Sequence, residues 1–339
     1  MARVPYRPAA LSAQERQHRR RLLSIVFVTC LVLVLIGSTI HVVMLGKLRL
    51  GDMRTLATYD LAEEGSRERA AGEDLVLHRS HEEGRTAGAG YTVVEAQQLL
   101  SREQWQDLDS MVRIPAGEFV MGTDLERADP LDKPQHKVTL PVYYLDRYLV
   151  TNAQYARFVA ATNRRPPSTW KGGRIPQGEV MNPVTMVTWN DAADYATWIG
   201  KRLPREAELE KAGRGSDARR WPWGNQMDPS RLNTYLNVGS ASNVGAYPQG
   251  ASIYGVYDLS GNVAEWTADN LLPYNGSKAP ADSQVPLGTN YKVLRGGSWK
   301  GDPLSTSLYH RDYAFPNHAT DFYGFRCASD VERNVRAQQ

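Results

Sequence analysis

The sequence predicts an α+β fold with much irregular chain, set behind one membrane-spanning segment. Three observations carry that prediction. Helical patterns are confined to a few short stretches, without strand–helix alternation and without internal repeats, which argues against a doubly wound parallel sheet. Trp (8) and Tyr (17) outnumber Phe (6), and Gly (28) and Pro (19) are plentiful; that mix suits loops pinned by aromatic residues with polar handles. Finally, one apolar run stands apart from a polar remainder, so mean hydropathy is −0.47 although apolar residues make up 42%.

Charge narrows the function. Forty basic residues against 37 acidic ones give +3, which leaves no nucleic-acid footprint. Of the two cysteines, Cys30 lies in the apolar run and Cys327 near the C-terminus, so the polar part cannot close an internal disulfide.

Residues 1–21 form a basic tail with Arg3, Arg7, Arg16, Arg19, Arg20 and Arg21 against a single acid, Glu15. Residues 22–46 are uncharged and apolar, at roughly 24 residues long enough to cross a bilayer with some tilt. No small-x-small cleavage site is evident, which favours an uncleaved anchor over a signal peptide. The arginine excess before the span puts the N-terminus in the cytoplasm and everything after residue 50 outside. Residues 47–108 read as a charged stalk, ending in a short amphipathic helix over 92–108 that carries Val94, Leu99, Leu100 and Trp105. His78 and His81 lie in that stalk without further ligands.

From Met111 the texture changes. Val112 to Gly122 alternates like a hairpin about Pro115-Ala-Gly117, and His136 to Leu145 reads as a further strand. Thr151-Asn-Ala-Gln154 has capping-box form and opens a helix with Tyr155, Phe158 and Val159 on one face. Asn182 to Thr188 reads as extended. Thr188-Trp-Asn-Asp191 caps a second helix, lined by Ala192, Tyr195, Ala196 and Ile199, and Pro204 fits the first turn of a third running through Ala212. Late in the chain, Val293 and Leu294 enter a Gly296-Gly297 kink where neighbouring backbone can approach closely. Ser298 and Trp299, a small hydroxyl beside a large aromatic, follow as a candidate pocket wall.

Taken in order, these segments resemble the formylglycine-generating enzyme (sulfatase-modifying factor) family. The resemblance rests on Met111-Val-Arg-Ile-Pro-Ala-Gly-Glu-Phe-Val-Met-Gly122, Val150-Thr-Asn-Ala-Gln-Tyr-Ala-Arg-Phe158, Asn182-Pro-Val-Thr-Met-Val-Thr-Trp189 and Lys201-Arg-Leu-Pro-Arg-Glu-Ala-Glu208. It continues through Pro222-Trp-Gly-Asn225, Tyr257-Asp-Leu-Ser-Gly-Asn-Val-Ala-Glu-Trp266, Arg295-Gly-Gly-Ser-Trp299 and Gly324-Phe-Arg-Cys-Ala328. It implies one C-type-lectin-like domain of low regular structure over residues 109–330, with 331–339 as a tail.

Three sites follow from the resemblance. A calcium site would draw side-chain oxygens from Asp258 and Glu265 and backbone carbonyls from Gly261 and Val263, in accord with a hard cation's need for converging oxygens. The competing reading is a capped turn with two solvated carboxylates. A second calcium site would begin at Asn233, yet the loop from Thr234 to Asn243 holds no carboxylate. The third site is the catalytic centre, where the family's enzymes hold Cu(I) between two cysteines; here the matching positions are Gly301 and Thr306, so no copper is expected. Ala264 stands where the family usually has a pocket Trp, while Ser298 and Arg311 match pocket residues. Cys327 reads as a small core residue. A metal set of His310, Asp312 and His318 has little support from spacing.

The expectation is therefore a membrane-anchored, periplasmic, non-copper family member on the inner membrane that acts by binding a protein partner in or at the membrane. It would serve as an accessory or maturation factor, or as a subunit of a membrane complex. Non-copper chemistry in the same pocket (oxidase or peptide modification) and a lectin-like ligand-binding module are the alternatives.

Overall fold

A computed structural model of the chain describes residues 59–60, 90–278 and 288–332. The predicted basic tail, the membrane span at 22–46, most of the stalk before residue 90 and the end of the C-terminal tail lie outside the described residues. Among the described residues no helix is long and apolar enough to cross a membrane.

The single helix expected over 92–108 is two. α1 (Val93–Gln98) and α2 (Arg102–Leu108) each open on their own capping box, Thr92 with Glu95 and Ser101 with Gln104. The second cap restarts the helix beyond Leu99. Ala96 and Leu108 are buried and Trp105 packs against the core, so these helices belong to the domain and not to the linker before residue 109.

β2 (Met111–Ile114) and β3 (Gly117–Met121) occupy the stretch that reads as a hairpin, but they do not pair with each other. β3 pairs with β4 (His136–Leu140), and β2 with β5 (Tyr143–Asp146), both antiparallel. Alternation marks a strand without naming its partner. Pro141 falls between β4 and β5 and divides the single strand expected there.

The three helices that follow start near where the caps predict. α3 (Asn152–Thr162) begins after Thr151, whose N–H donates to Gln154 Oε1 at 3.0 Å. α4 (Trp189–Trp198) begins after Thr188, paired reciprocally with Asp191. α5 (Glu206–Arg214) has Arg205 as its N-cap, so Pro204 precedes the cap instead of entering the first turn.

The largest sheet is built from β6 (Ala264–Leu271), β7 (Gly288–Arg295), β8 (Arg311–Ala314) and β10 (Tyr323–Gly324), in the order β10-β6-β7-β8. Only β10 runs parallel to its neighbour. β11 (Ala328–Ser329) joins the other edge of β5 to make a three-stranded sheet, and β9 (His318–Ala319) pairs with β1 (Tyr59–Asp60).

Aromatic residues fill the larger core. Tyr155 of α3 stacks on Tyr195 of α4 with centroids 5.7 Å apart, and Phe325 meets Tyr195 edge-on at 5.3 Å. Burying each such ring contributes roughly 2–3 kcal/mol. A second core sets Leu209 and Ala212 of α5 among Ile114, Phe119, Met121, Tyr143 and Leu145.

The Gly-Gly kink does what its composition predicts. Gly296 and Gly297 have φ of 88° and 66°. A Cβ at Gly297 would lie 2.5 Å from the Ser305 carbonyl oxygen, and one at Gly296 would lie 3.0 Å from that of Leu259. The end of β7, the turn after Tyr257 and the loop after Ser298 therefore meet at one point.

Candidate functional site

The turn leading into β6 carries the first predicted calcium set. Gly261 has φ 78° and sits so close to the next loop that a Cβ would lie 2.4 Å from the Asn233 carbonyl oxygen. Glu265 is buried, and both its oxygens receive the buried guanidinium of Arg326, from Nε at 2.6 Å and Nη2 at 2.8 Å. Asp258 Oδ2 accepts the Gly245 N–H at 2.8 Å. Burial pushes both carboxyls up against the pull of Arg326, and Asp258 adds to the rise at Glu265. Glu265 is thus not a solvated carboxylate, while Asp258 is half-buried.

Glu265, buried, and Asp258, half-buried, both feel the charge of Arg326, and only Glu265 is hydrogen-bonded to it. Glu265 is already held by Arg326, so Asp258 is the carboxylate with more to offer a hard cation. The second set sits alongside. Asn262 N–H donates to the Asn233 carbonyl at 2.9 Å, and the Asn233 side-chain amide donates to Ser240 O at 2.9 Å. Asn233 Oδ1 is buried with no hydrogen-bond partner, an orphan acceptor of the kind a cation satisfies.

The loop after the kink is closed where a copper pair would stand. A Cβ at Gly301 would lie 2.6 Å from Ser305 Oγ. Thr306 is fully buried, its hydroxyl accepting the Trp221 indole N–H at 3.4 Å. Ser298 is buried, and its Oγ accepts Lys300 N–H at 3.3 Å. Trp299 donates its indole N–H to Asp321 O at 3.3 Å and lies under Lys300 Nζ, 4.6 Å from the ring centre. Ala264 is buried at the start of β6, its N–H bound to Phe322 O. Cys327 is a buried thiol whose pKa burial drives well above the ordinary value, with Asp146 adding to the rise. It is a core residue.

Arg311 is not brought to that loop as a pocket residue. Its guanidinium is buried and bidentate to Glu206, at 2.9 Å from Nε and 3.0 Å from Nη2. It also donates to the carbonyls of Leu131 and Leu272 and lies 4.2 Å from the Tyr274 ring centre. Motif matching located the residue, but packing decided where its charge went. Nor do His310, Asp312 and His318 converge. His310 Nδ1 contacts Asp132 at 3.2 Å, His318 packs edge-on to Phe315, and no metal-holding group of three such residues occurs among the described residues.

Residues 96–331 match the family described as the sulfatase-modifying factor enzyme 1-like domain. The chain belongs to this family. Its sulfatase-modifying-factor domain is 37% identical over 245 residues to the serine/threonine-protein kinase Pkn1 of Chlamydia trachomatis, covering 66% of this chain. That match spans only 39% of the kinase's length. It is 33% identical over 282 residues to the formylglycine-generating enzyme of Thermomonospora curvata, covering 65% of this chain and 93% of the enzyme. Among solved structures, PvdO from Pseudomonas aeruginosa is 32% identical, with a TM-score of 0.56, covering 67% of this chain and 96% of that one.

Two features had no sequence signal. One is a cleft of about 430 Å³ lined by Trp189, Ala193, Thr197, Arg202, Leu203, Arg205, Ala268 and Asp330. Its residues are scattered along more than a hundred positions, so no local motif could announce it. Its charges are matched internally, since Arg202 and Arg205 both pair with Glu208 and Arg202 also pairs with Asp330. The other is Arg220, which lies beside the closed loop with no carboxylate partner among the described residues.

Proposed function

We propose that this protein is a membrane-anchored, non-copper member of the sulfatase-modifying factor family that acts by binding, as an accessory or maturation factor or as a subunit of a membrane complex. The observation that carries this reading is the loop from Ser298 to Thr306. Cu(I) selects soft thiolates, and the residues at the two matching positions offer a packed glycine and a buried hydroxyl. The residues present do not fit copper. The surrounding scaffold is retained down to the Gly-Gly kink, and a fold kept without its reactive pair favours recognition over turnover.

The apolar run at 22–46 and the arginines before it support an inner-membrane anchor with the domain in the periplasm. Calcium, held by Asp258 with Glu265 and the carbonyls of Gly261 and Val263, would supply charge balance and rigidity to the turn entering β6, with Asn233 as a ligand in the adjoining loop.

The test is purification of the full-length protein from its own membranes in mild detergent, with mass spectrometry of what accompanies it. A stoichiometric protein partner is expected. Aldehyde formation on a cysteine-containing sulfatase peptide, by the purified protein supplied with copper, would overturn the reading.

A further inference from the structure

Two segments lock onto the loop between Trp299 and Leu308 from opposite flanks. On one flank, Leu236 N–H donates to Trp299 O at 2.7 Å, Tyr235 N–H to Gly301 O at 3.1 Å, and Thr234 Oγ1 to Gly301 O at 2.7 Å. On the other, the Trp221 indole reaches Thr306, and Leu308 N–H donates to Arg220 O at 2.8 Å. The closed loop is thus the centre of a composite face.

That face shows two features that folding alone does not explain. Tyr235 and Leu236 are consecutive non-glycine residues in the left-handed region, at φ 54° and 59°. Such a conformation costs roughly 1–2 kcal/mol per residue. The strain holds their side chains outward, 53% and 57% exposed, near Val238 at 51%, and Leu304 of the central loop is 44% exposed. Strain kept to present apolar groups to solvent points to a use outside the chain.

The second feature is a charge without a counter-charge. Arg220 lies between the rings of Trp221 and Tyr309, at 4.7 and 5.9 Å from their centres. Nη2 donates to Tyr309 Oη at 3.3 Å, Nε is buried without an acceptor, and no carboxylate pairs with it among the described residues. Its neighbour Arg219 is satisfied by both oxygens of Asp217. The loop's own acid, Asp302, is committed to the N–H groups of Leu304 and Ser305. Arginine and aromatic residues beside apolar ones are what interface centres are made of.

We infer that this face docks an acidic, apolar segment of a partner protein. An Asp or Glu carboxylate on that segment takes Arg220, whose planar fork suits it, between rings that keep water away. Apolar side chains farther along the same segment, across the loop, cover Tyr235, Leu236 and Val238. The inference rests on the proposed binding role and names the surface and the chemistry of the partner.

Site-specific photo-crosslinking tests it in the full-length protein in its own membranes, with benzoylphenylalanine at Val238. The expected product joins Val238 to a segment bearing Asp or Glu among apolar residues. Arg220→Gln should lower the yield about tenfold, as loss of one partner in a desolvated charge pair does, while Arg220→Lys, which keeps the charge but not the planar fork, restores only part of it. Leu236→Asp, at an exposed position and so harmless to folding, should also abolish the product by placing a like charge against the segment. A crosslink to a second copy of this chain, to a segment without carboxylates, or one indifferent to Arg220→Gln and Leu236→Asp would overturn the inference. A partner that co-purifies but crosslinks only from Trp198, which is exposed at the end of α4, removes this face and leaves the binding role standing. No co-purifying partner removes both.

Discussion

The guanidiniums under the sheets and the one beside the closed loop are handled in opposite ways. Arg311 has Glu206, Arg326 has Glu265, and Arg295 and Arg214 share Glu210, all buried. Arg220 has two rings and a hydroxyl. The first group is closed upon itself, so its charges specify how strands and helices meet. The second is incomplete within the described chain, so its energetics are settled by what comes to it. The same amino acid is a fastening in one region and a receptor in the other.

Breaking a fastening should have the largest effect. Arg311→Ala leaves Glu206 buried without its partner, and unfolding by denaturant should show a loss of roughly 3–5 kcal/mol. Arg220→Gln should cost less than about 1 kcal/mol in the same measurement, because no buried carboxylate is stranded. Equal losses would erase the distinction between the two regions.

Calcium gives the next effect. A cation bound at 100 times its dissociation constant stabilises by about 2.7 kcal/mol, so EGTA should lower the melting temperature by several degrees. Asp258→Asn should remove that response. Glu265→Gln should lower stability with or without EGTA, since it also strands Arg326. An EGTA-insensitive wild type would mean that Arg326 alone balances the turn.

A smaller effect sharpens the contrast in backbone strain. Leu236→Gly relieves a left-handed residue and should raise stability by about 0.5–1 kcal/mol while weakening partner capture. Unchanged or lower stability would show that the exposed side chain pays its way inside the fold.

The smallest is a pH dependence at His310. Burial pulls its pKa down, but the hydrogen bond and charge of Asp132, with Asp312 nearby, outweigh burial and the opposing Arg295, so the pKa is raised above 6.5. A raised pKa means stability that is full below the unfolded value and fades as pH climbs through the folded one. Melting temperature should therefore fall gently above neutrality, and His310→Gln should flatten that slope.

Most of the scaffold was legible in the sequence because its signals are local. Caps at Thr151 and Thr188 fix helix starts through hydrogen bonds three residues away. The Gly-Gly kink announces itself by needing chain without Cβ atoms. Partner choice was less legible, since alternation in 112–122 is equally consistent with pairing to β4 and β5. Of the candidate site, the position of the Asp258–Glu265 turn and the identities of Gly301 and Thr306 can be read from the sequence. The destination of the Arg311 guanidinium could not, because Glu206 lies 105 residues away. Arg220 escaped for the converse reason, since a missing counter-charge leaves no trace in a string of letters.

The short run from Phe325 to Ala328 has a consequence for synthesis. Phe325 O receives Val150 N–H, Cys327 N–H donates to Asp146 across 181 positions, and Ala328 exchanges hydrogen bonds with Arg202. Arg326 closes on Glu265 in between. These contacts stitch the earlier parts of the domain together with the last segment of the domain to be made. Until then these contacts are unmade, and unpaired strand edges are what chaperones and proteases meet. A chain stopped at residue 323 would lack the stitch altogether, and quality control, not loss of a binding face, would decide its fate.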